Sequence, residues 1–225
     1  MLTQPPFTHE ELISVKAIKA WFTFDTIYTR PTLESESHIF AHIIRQNSSI
    51  PHHIEYRHID CSYFMWLCIF HFNTEAAIAL RFSIPNVERY LREKYNIHIT
   101  SNYPLAIHFA LLSQNTNLWD RSMYKYFELV SMDNLNPGTI VSWAFESFLH
   151  PKTSQFKLEV DTGHTGCVCA IHNNEISFCH SVPKKDDPKP VNQGGPTESI
   201  YTLDGYILKG ISRGVRIGGG LKLKG

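Results

Sequence analysis

No stretch of this chain is apolar for long enough to span a bilayer, and neither sign of charge is in excess, since Lys+Arg and Asp+Glu both number 21. A balanced surface lacks the bulk field that draws a protein to nucleic acid or to an anionic membrane. Neither partner is expected, and no membrane span. Residues Met1 to Glu11 carry no basic start and no apolar run, which predicts a chain without a cleavable signal peptide. Cysteine is scarce as well. Five, an odd number without framework spacing, suit a reducing compartment better than an oxidising export route. The expected location is therefore cytoplasmic, or outside the cell by a route that needs no cleavable signal, as for an effector passed directly between cells. HExxH is missing, as is regular zinc-finger spacing. Gly218-Gly219-Gly220 is followed by no Lys-Ser/Thr pair and so is not a phosphate loop. No cofactor is implied, and no internal repeat is evident.

What is present suffices for one large domain over residues 1–225, with 43% hydrophobic residues to fill its core. The chain is organised around His58-Ile59-Asp60-Cys61-Ser62, followed by eight uncharged residues, Tyr63 to Phe70. Asp and Ser are favoured at a helix start, where their oxygens satisfy unpaired backbone N–H groups. The run beyond them is apolar on every side, which suits a helix buried mid-domain, with a buried strand as the competing reading. On a helix, Cys61 occupies the first turn, where the positive dipole end favours a thiolate. The competing structural role is a small apolar cysteine capping a core helix.

A cysteine nucleophile needs a histidine base and a third group that orients the base. Downstream stand Leu135-Asn136-Pro137-Gly138-Thr139-Ile140, a Pro-Gly turn feeding a strand, then Thr162-Gly163-His164-Thr165-Gly166, a strand opening on histidine, then Phe178-Cys179-His180, a strand closing on one. This order resembles the NlpC-type cysteine peptidases and their CHAP-type amidase relatives. Those families read Asp-Cys-Ser-Gly-hydrophobic, Leu-x-Pro-Gly-Asp-hydrophobic, Gly-His-hydrophobic-Gly and a polar residue, often His, ending the next strand. Trp119 to Tyr124 resembles their Pro-Arg-Ser/Thr segment more weakly. The resemblance covers roughly 50–72 and 118–182. It implies a papain-like α+β fold, with Cys61 as nucleophile, His164 as base and His180 as the orienting residue. It further implies Asp60 and Ser62 near the amino end of a peptidoglycan-type peptide or cell-wall fragment, and Tyr56 as the hydroxyl that assists the site. Two positions depart from the pattern. Tyr63 replaces a small Gly and is expected to crowd the substrate cleft, and Thr139 replaces an Asp whose loss touches structure only.

Elsewhere, Thr8-His9-Glu10-Glu11 predicts a capped helix over about 9–22, and Thr32 and Ser35 a second one carrying Ile39 to Ile44, with a loop at 47–53. Residues 73–117 read as an inserted helical hairpin, with helices from about Ser83 to Tyr95 and from Tyr103-Pro104 to Ser113. Its two roles are a lid or protein-partner surface over the cleft, and a packed buttress. Strands are expected at 139–145, 164–171, 175–182 and 199–211, a flexible loop at about 183–197 and a frayed end over 218–225. Helices first and an antiparallel sheet afterwards give an α+β layout, N-terminal helices and a buried nucleophile helix on the sheet.

Strand parity sets a condition on the site. His180 can orient His164 only from the same face of the hairpin. A two-residue turn at Asn173-Asn174 pairs Cys167 with His180 and separates the imidazoles. An odd-length loop with Asn174 left-handed, or a compensating bulge, pairs Gly166 with His180 and Cys167 with Cys179. Both imidazoles then point at the start of the central helix, and the two cysteines lie on the far face. Competing constellations are zinc at His52, His53, His58 and Cys61, and a thiol cluster of Cys167, Cys169 and Cys179 that otherwise packs as small hydrophobes. The expected activity is amide-bond hydrolysis by a Cys-His-His triad. The alternatives are deamidation or transglutaminase-type acyl transfer, a non-enzymatic binding module on the same fold, and a zinc-stabilised adaptor.

Overall fold

The computed structural model describes residues 60–147, 157–173, 175–183, 194–202 and 220–224. The expected helices at 9–22 and 32–44 and the loop at 47–53 lie outside them. The apolar run after Asp60 is a helix, α1 (Cys61–Phe72), with Asp60 at its N-cap accepting from the Tyr63 amide at 2.7 Å. Every residue from Tyr63 to Phe70 is at most 5% exposed, the burial a helix apolar on all sides requires. Asn73 ends α1 with its backbone N–H on the Ile69 carbonyl. It also starts the next helix, its side chain accepting from the Ala76 amide.

That next helix, α2 (Thr74–Tyr95), begins nine residues before the expected start at Ser83 and carries Pro85 in its interior. Ser83 is not a cap. Its hydroxyl is buried, donates to the Ala79 carbonyl and accepts from the Asp120 amide. Pro85 removes one N–H from the ladder on an exposed side. The helix continues because Ala76, Leu80, Val87 and Leu91 bury a common stripe. Helix α3 (Ala106–Leu112) follows, near the expected position. Of the two roles weighed for 73–117, buttress is the one its packing supports. Ala76, Leu80, Val87, Leu91, Ile107, Phe109 and Leu112 belong to the same core as Tyr63 to Phe70.

After a short helix α4 (Met123–Tyr126), six strands among the described residues form one antiparallel sheet. They are β1 (Phe127–Val130), β2 (Ile140–Ser147), β3 (Lys157–His172), β4 (Glu175–Pro183), β5 (Gly194–Thr202) and β6 (Gly220–Leu223), in spatial order β1-β6-β2-β3-β4-β5. The layout is α+β, as expected. The Pro137-Gly138 turn feeds β2: Gly138 adopts φ 88°, and the Thr139 amide donates to the Asn136 carbonyl. Three expectations are corrected at their edges. The strand expected at 199–211 is β5, beginning at Gly194, and 203–219 lie outside the described residues. Within the expected flexible loop, Pro183 pairs with Gly194 and His180 with Thr197, while 184–193 lie outside. The end expected to fray instead supplies β6, which lies between β1 and β2.

Two apolar layers flank the sheet. One joins α1, α2 and α3 to Ile140, Cys167, Cys169, Cys179 and Leu221. The other holds Val141, Val168, Ile176 and Phe178, with Met132, Leu135, Ile171 and Tyr201 against it.

Candidate active site

Cys61 is the first residue of α1 and is 5% exposed. The Asp60 carboxylate beside it is held by three donors: the Tyr63 amide, the Ser62 hydroxyl at 3.0 Å and the Tyr103 hydroxyl at 3.1 Å. Asp60 thus builds the helix start and ties it to the segment before α3. Ser62 and Tyr63 are buried too. Tyr63, expected to narrow a cleft, lies in the core, stacked on Trp66 and edge-on to Tyr103 at 5.0 Å between ring centroids. Tyr56 lies outside the described residues, and among these the tyrosine whose hydroxyl reaches the helix start is Tyr103.

The second half of the site is on the β3–β4 hairpin. His172 pairs with Glu175, so the turn has two residues, with Asn173 left-handed at φ 55°. By itself this register would place the imidazoles on opposite faces. A bulge at Cys169 shifts the pairing between Val168 and Ala170, and beyond it Cys167 pairs with Cys179 and Gly166 with His180. His164 and His180 therefore share a face, with His164 Nε2 2.8 Å from His180 Nδ1. The compensating bulge was one of the two expected solutions. Asn174, expected to take the left-handed conformation, lies outside the described residues.

His180 is 2% exposed and wedged edge-on by Phe178 and Tyr201, at 5.3 and 6.2 Å between ring centroids. Its other nitrogen, Nε2, lies 2.9 Å from the Ser199 hydroxyl on β5. Gly166 makes this packing possible, because a Cβ there would come within 2.5 Å of the Phe178 ring and 2.7 Å of the Cys179 carbonyl oxygen. Sequence reasoning missed Tyr103 and Ser199. Both act through pairings distant in sequence, and neither stands in a motif that marks it.

The relation of the hairpin to α1 corrects one expectation. Cys167 and Cys179 were expected on the face away from the chemistry, but they belong to the core that contains α1. By alternation, His164, Gly166, Val168 and His180 occupy the other face, beside Phe178. The three cysteines are not a thiol cluster either. Cys169 and Cys179 form a disulfide across the β3–β4 pair. Cys167 remains a thiol pushed up to about 12 by burial, and burial, then the neighbouring Cys167, holds Cys68 well above the usual thiol range. His52, His53 and His58, the other metal candidates, lie outside the described residues. Among the described residues no group of three or more His, Cys, Asp or Glu is placed to hold a metal ion, and no helix is long and apolar enough to cross a membrane. Comparison with family models, curated proteins and solved structures finds no match.

Proposed function

We propose that the protein is a cysteine hydrolase of amide bonds with a papain-like, NlpC-type site. The observation that carries this reading is the His164–His180 hydrogen bond, formed by a bulge that puts both imidazoles on one face of the hairpin. A cysteine in the first turn of a capped, buried helix supports it. On this reading, with His164 Nε2 committed to His180, Nδ1 is the nitrogen that would have to reach the Cys61 thiol and take its proton. The thiolate adds to the carbonyl carbon, the helix-start N–H of Cys61 helps hold the oxyanion, and His164 returns the proton to the leaving amine as the C–N bond breaks. Water then cleaves the thioester. The substrate class is a peptidoglycan-type peptide, and deamidation or acyl transfer would use the same acyl-enzyme. The Cys169–Cys179 disulfide supports an oxidising location over a cytoplasmic one.

A specific observation favours a second reading, a binding module that keeps the fold without the chemistry. The imidazoles project from the sheet face opposite the one that α1 covers. The two readings differ in whether Cys61 senses His164. Limiting iodoacetamide at neutral pH should alkylate Cys61 before Cys68 and Cys167, whose buried thiols stay protonated. His164→Ala should slow that reaction at least tenfold in a chain that remains folded. An unchanged rate in the variant would leave the binding module. Incubation with cell-wall fragments, read by mass spectrometry, then tests the substrate.

A further inference from the structure

We propose that the Cys169–Cys179 disulfide is a register lock on the candidate site: it closes only in the pairing of β3 with β4 that puts His164 and His180 on one face. The inference rests on the hydrolase reading for its consequence, that the site is complete only in a chain folded under oxidising conditions.

Two registers are open to the hairpin beyond its turn. The pairs His172–Glu175, Ile171–Ile176 and Ala170–Ser177 are those of a two-residue turn. Continued without interruption, that ladder would set Cys169 opposite Phe178, Val168 opposite Cys179 and Cys167 opposite His180. Residues directly opposite one another share a face, and neighbours along a strand do not. Cys179 would then lie on the face of Val168, with Cys167 and Cys169 both on the other. No disulfide can join Cys179 to β3 in that ladder. In the observed pairing the bulge leaves Cys169 without an opposite residue, Val168 pairs with Phe178 and Cys167 with Cys179. All three cysteines then belong to the apolar layer that contains α1. Cys169 and Cys179 come to 6.2 Å between Cα atoms, within the span a disulfide bridges. The bond therefore requires the bulge, and the bulge is what pairs Gly166 with His180 and sets His164 diagonal to it.

Without the bond two effects oppose each other. A bulge leaves one residue out of the ladder, which favours the plain register. Burial of Cys167 on one face and Val168 on the other, at 1% and 0% exposure, favours the bulge. The bond ends that contest. Its two cysteines are 10 residues apart in one hairpin, so it constrains the hairpin and not the helices. Both are buried, so the bond is made while the chain folds and is out of reach once the core has closed. One thiolate displaces half of a small-molecule disulfide, and the other cysteine then displaces the second half from the mixed disulfide. The two thiols give up two protons and two electrons, and the small molecule leaves as two thiols.

The test unfolds the full-length protein with reductant and refolds it either in a glutathione redox buffer or in excess phosphine reductant. Cys179→Ala, which can bond to neither cysteine of β3, is a second unlocked chain. Amide hydrogen exchange and cross-strand NOEs read the register. The oxidised chain should give a linked Cys169–Cys179 peptide pair by mass spectrometry and Gly166–His180 NOEs. Both unlocked chains should keep their helical circular dichroism, exchange the amides from His164 to Val168 at least tenfold faster, and lose at least half of the Gly166–His180 NOE intensity. Unchanged exchange and NOEs in either unlocked chain overturn the lock. Loss of the helical signal in both also overturns it, because the bond would then hold the fold and not the register. A register that responds as stated, beside a Cys61 no more readily alkylated than Cys68 in the oxidised chain, upholds the lock and removes the hydrolase reading. An unmoved register beside a Cys61 that still senses His164 does the reverse.

Discussion

Gly166 leaves no room for a methyl group, and the atoms in the way belong to the site's own support, the Phe178 ring and the Cys179 carbonyl. Gly166→Ala should therefore destabilise the fold by about 2 kcal/mol, as overpacking of a close-packed interior does. A smaller side chain at 178 should recover part of that loss, because the ring can be replaced but the carbonyl cannot. Urea unfolding of Gly166→Ala, Phe178→Leu and the double variant checks this, and additive losses would contradict it. His108 makes a second prediction. It is fully buried, its Nδ1 accepts from the Leu105 amide at the start of α3, and burial lowers its pKa to about 3. Above the ordinary value of 6.5 both folded and unfolded chains hold it neutral. As pH falls below that, the unfolded chain takes a proton that the folded chain refuses. Stability is lost progressively down to about pH 3, by up to roughly 5 kcal/mol. Glu88, 4.0 Å from Nε2 and with its carboxyl raised by its own burial, works in the opposite sense, because the folded chain takes that proton more readily than the unfolded one. The comparison is thus between variants. His108→Gln keeps an acceptor for the Leu105 amide and cannot titrate, so its stability should fall less between pH 6.5 and 4. Parallel curves would show that the imidazole is not the source. The sequence marks Gly166 by its place two residues after His164, whereas nothing separates His108 from the other histidines until helix packing buries it.

At the scale of elements, legibility followed locality. Helix α1 was readable because its cap and its apolar run are adjacent, and the Pro137-Gly138 turn because two residues define it. The start of α2 was misread for a physical reason: Ser83-Ile84-Pro85 carries the chemistry of a helix start, but tertiary contacts with Asp120 use the Ser83 hydroxyl instead. The register of β3 and β4 was readable only as a condition. Sequence parity required a bulge or an odd loop, and packing of Cys169 toward Cys179 selected the bulge. Packing also bears on what 73–117 is for, and supports the buttress. Tyr103 donates to the Asp60 cap, and α2 and α3 share the core of α1. Joining Phe72 to Leu118 through a short linker should thus leave a chain that does not fold, seen as a lost near-ultraviolet circular dichroism signal and no cooperative urea transition. A folded product would return the segment to the role of a lid.

For the molecule as a whole, the order of assembly depends on its last described strand. Among the described residues β1 pairs only with β6, and β6 joins it to β2, so four residues connect one edge of the sheet to its middle. Leu221 is fully buried between Leu129 and Ile140 in the ladder. Gly220 passes so close to Thr139 that a Cβ would come within 2.3 Å of its methyl group. Lys222 reaches back to the Asn136 side chain, and the Lys224 amide donates to the Tyr126 carbonyl. The alternation Leu221, Lys222, Leu223, Lys224 was present in the sequence, but so short a run beside three glycines reads as a tail until its partners, some 80 to 95 residues earlier, are known. Such non-local pairing closes late and at high entropic cost, so the sheet completes only when the end of the chain docks. Ending the chain at Gly219 should abolish the cooperative transition and leave Phe127–Val130 amides unprotected in hydrogen exchange, while Leu221→Ala, which keeps the backbone ladder, should fold with a loss of about 3 kcal/mol. If the shortened chain unfolded with the full-length midpoint and protection pattern, β6 would be an ornament on the sheet and not the element that closes it.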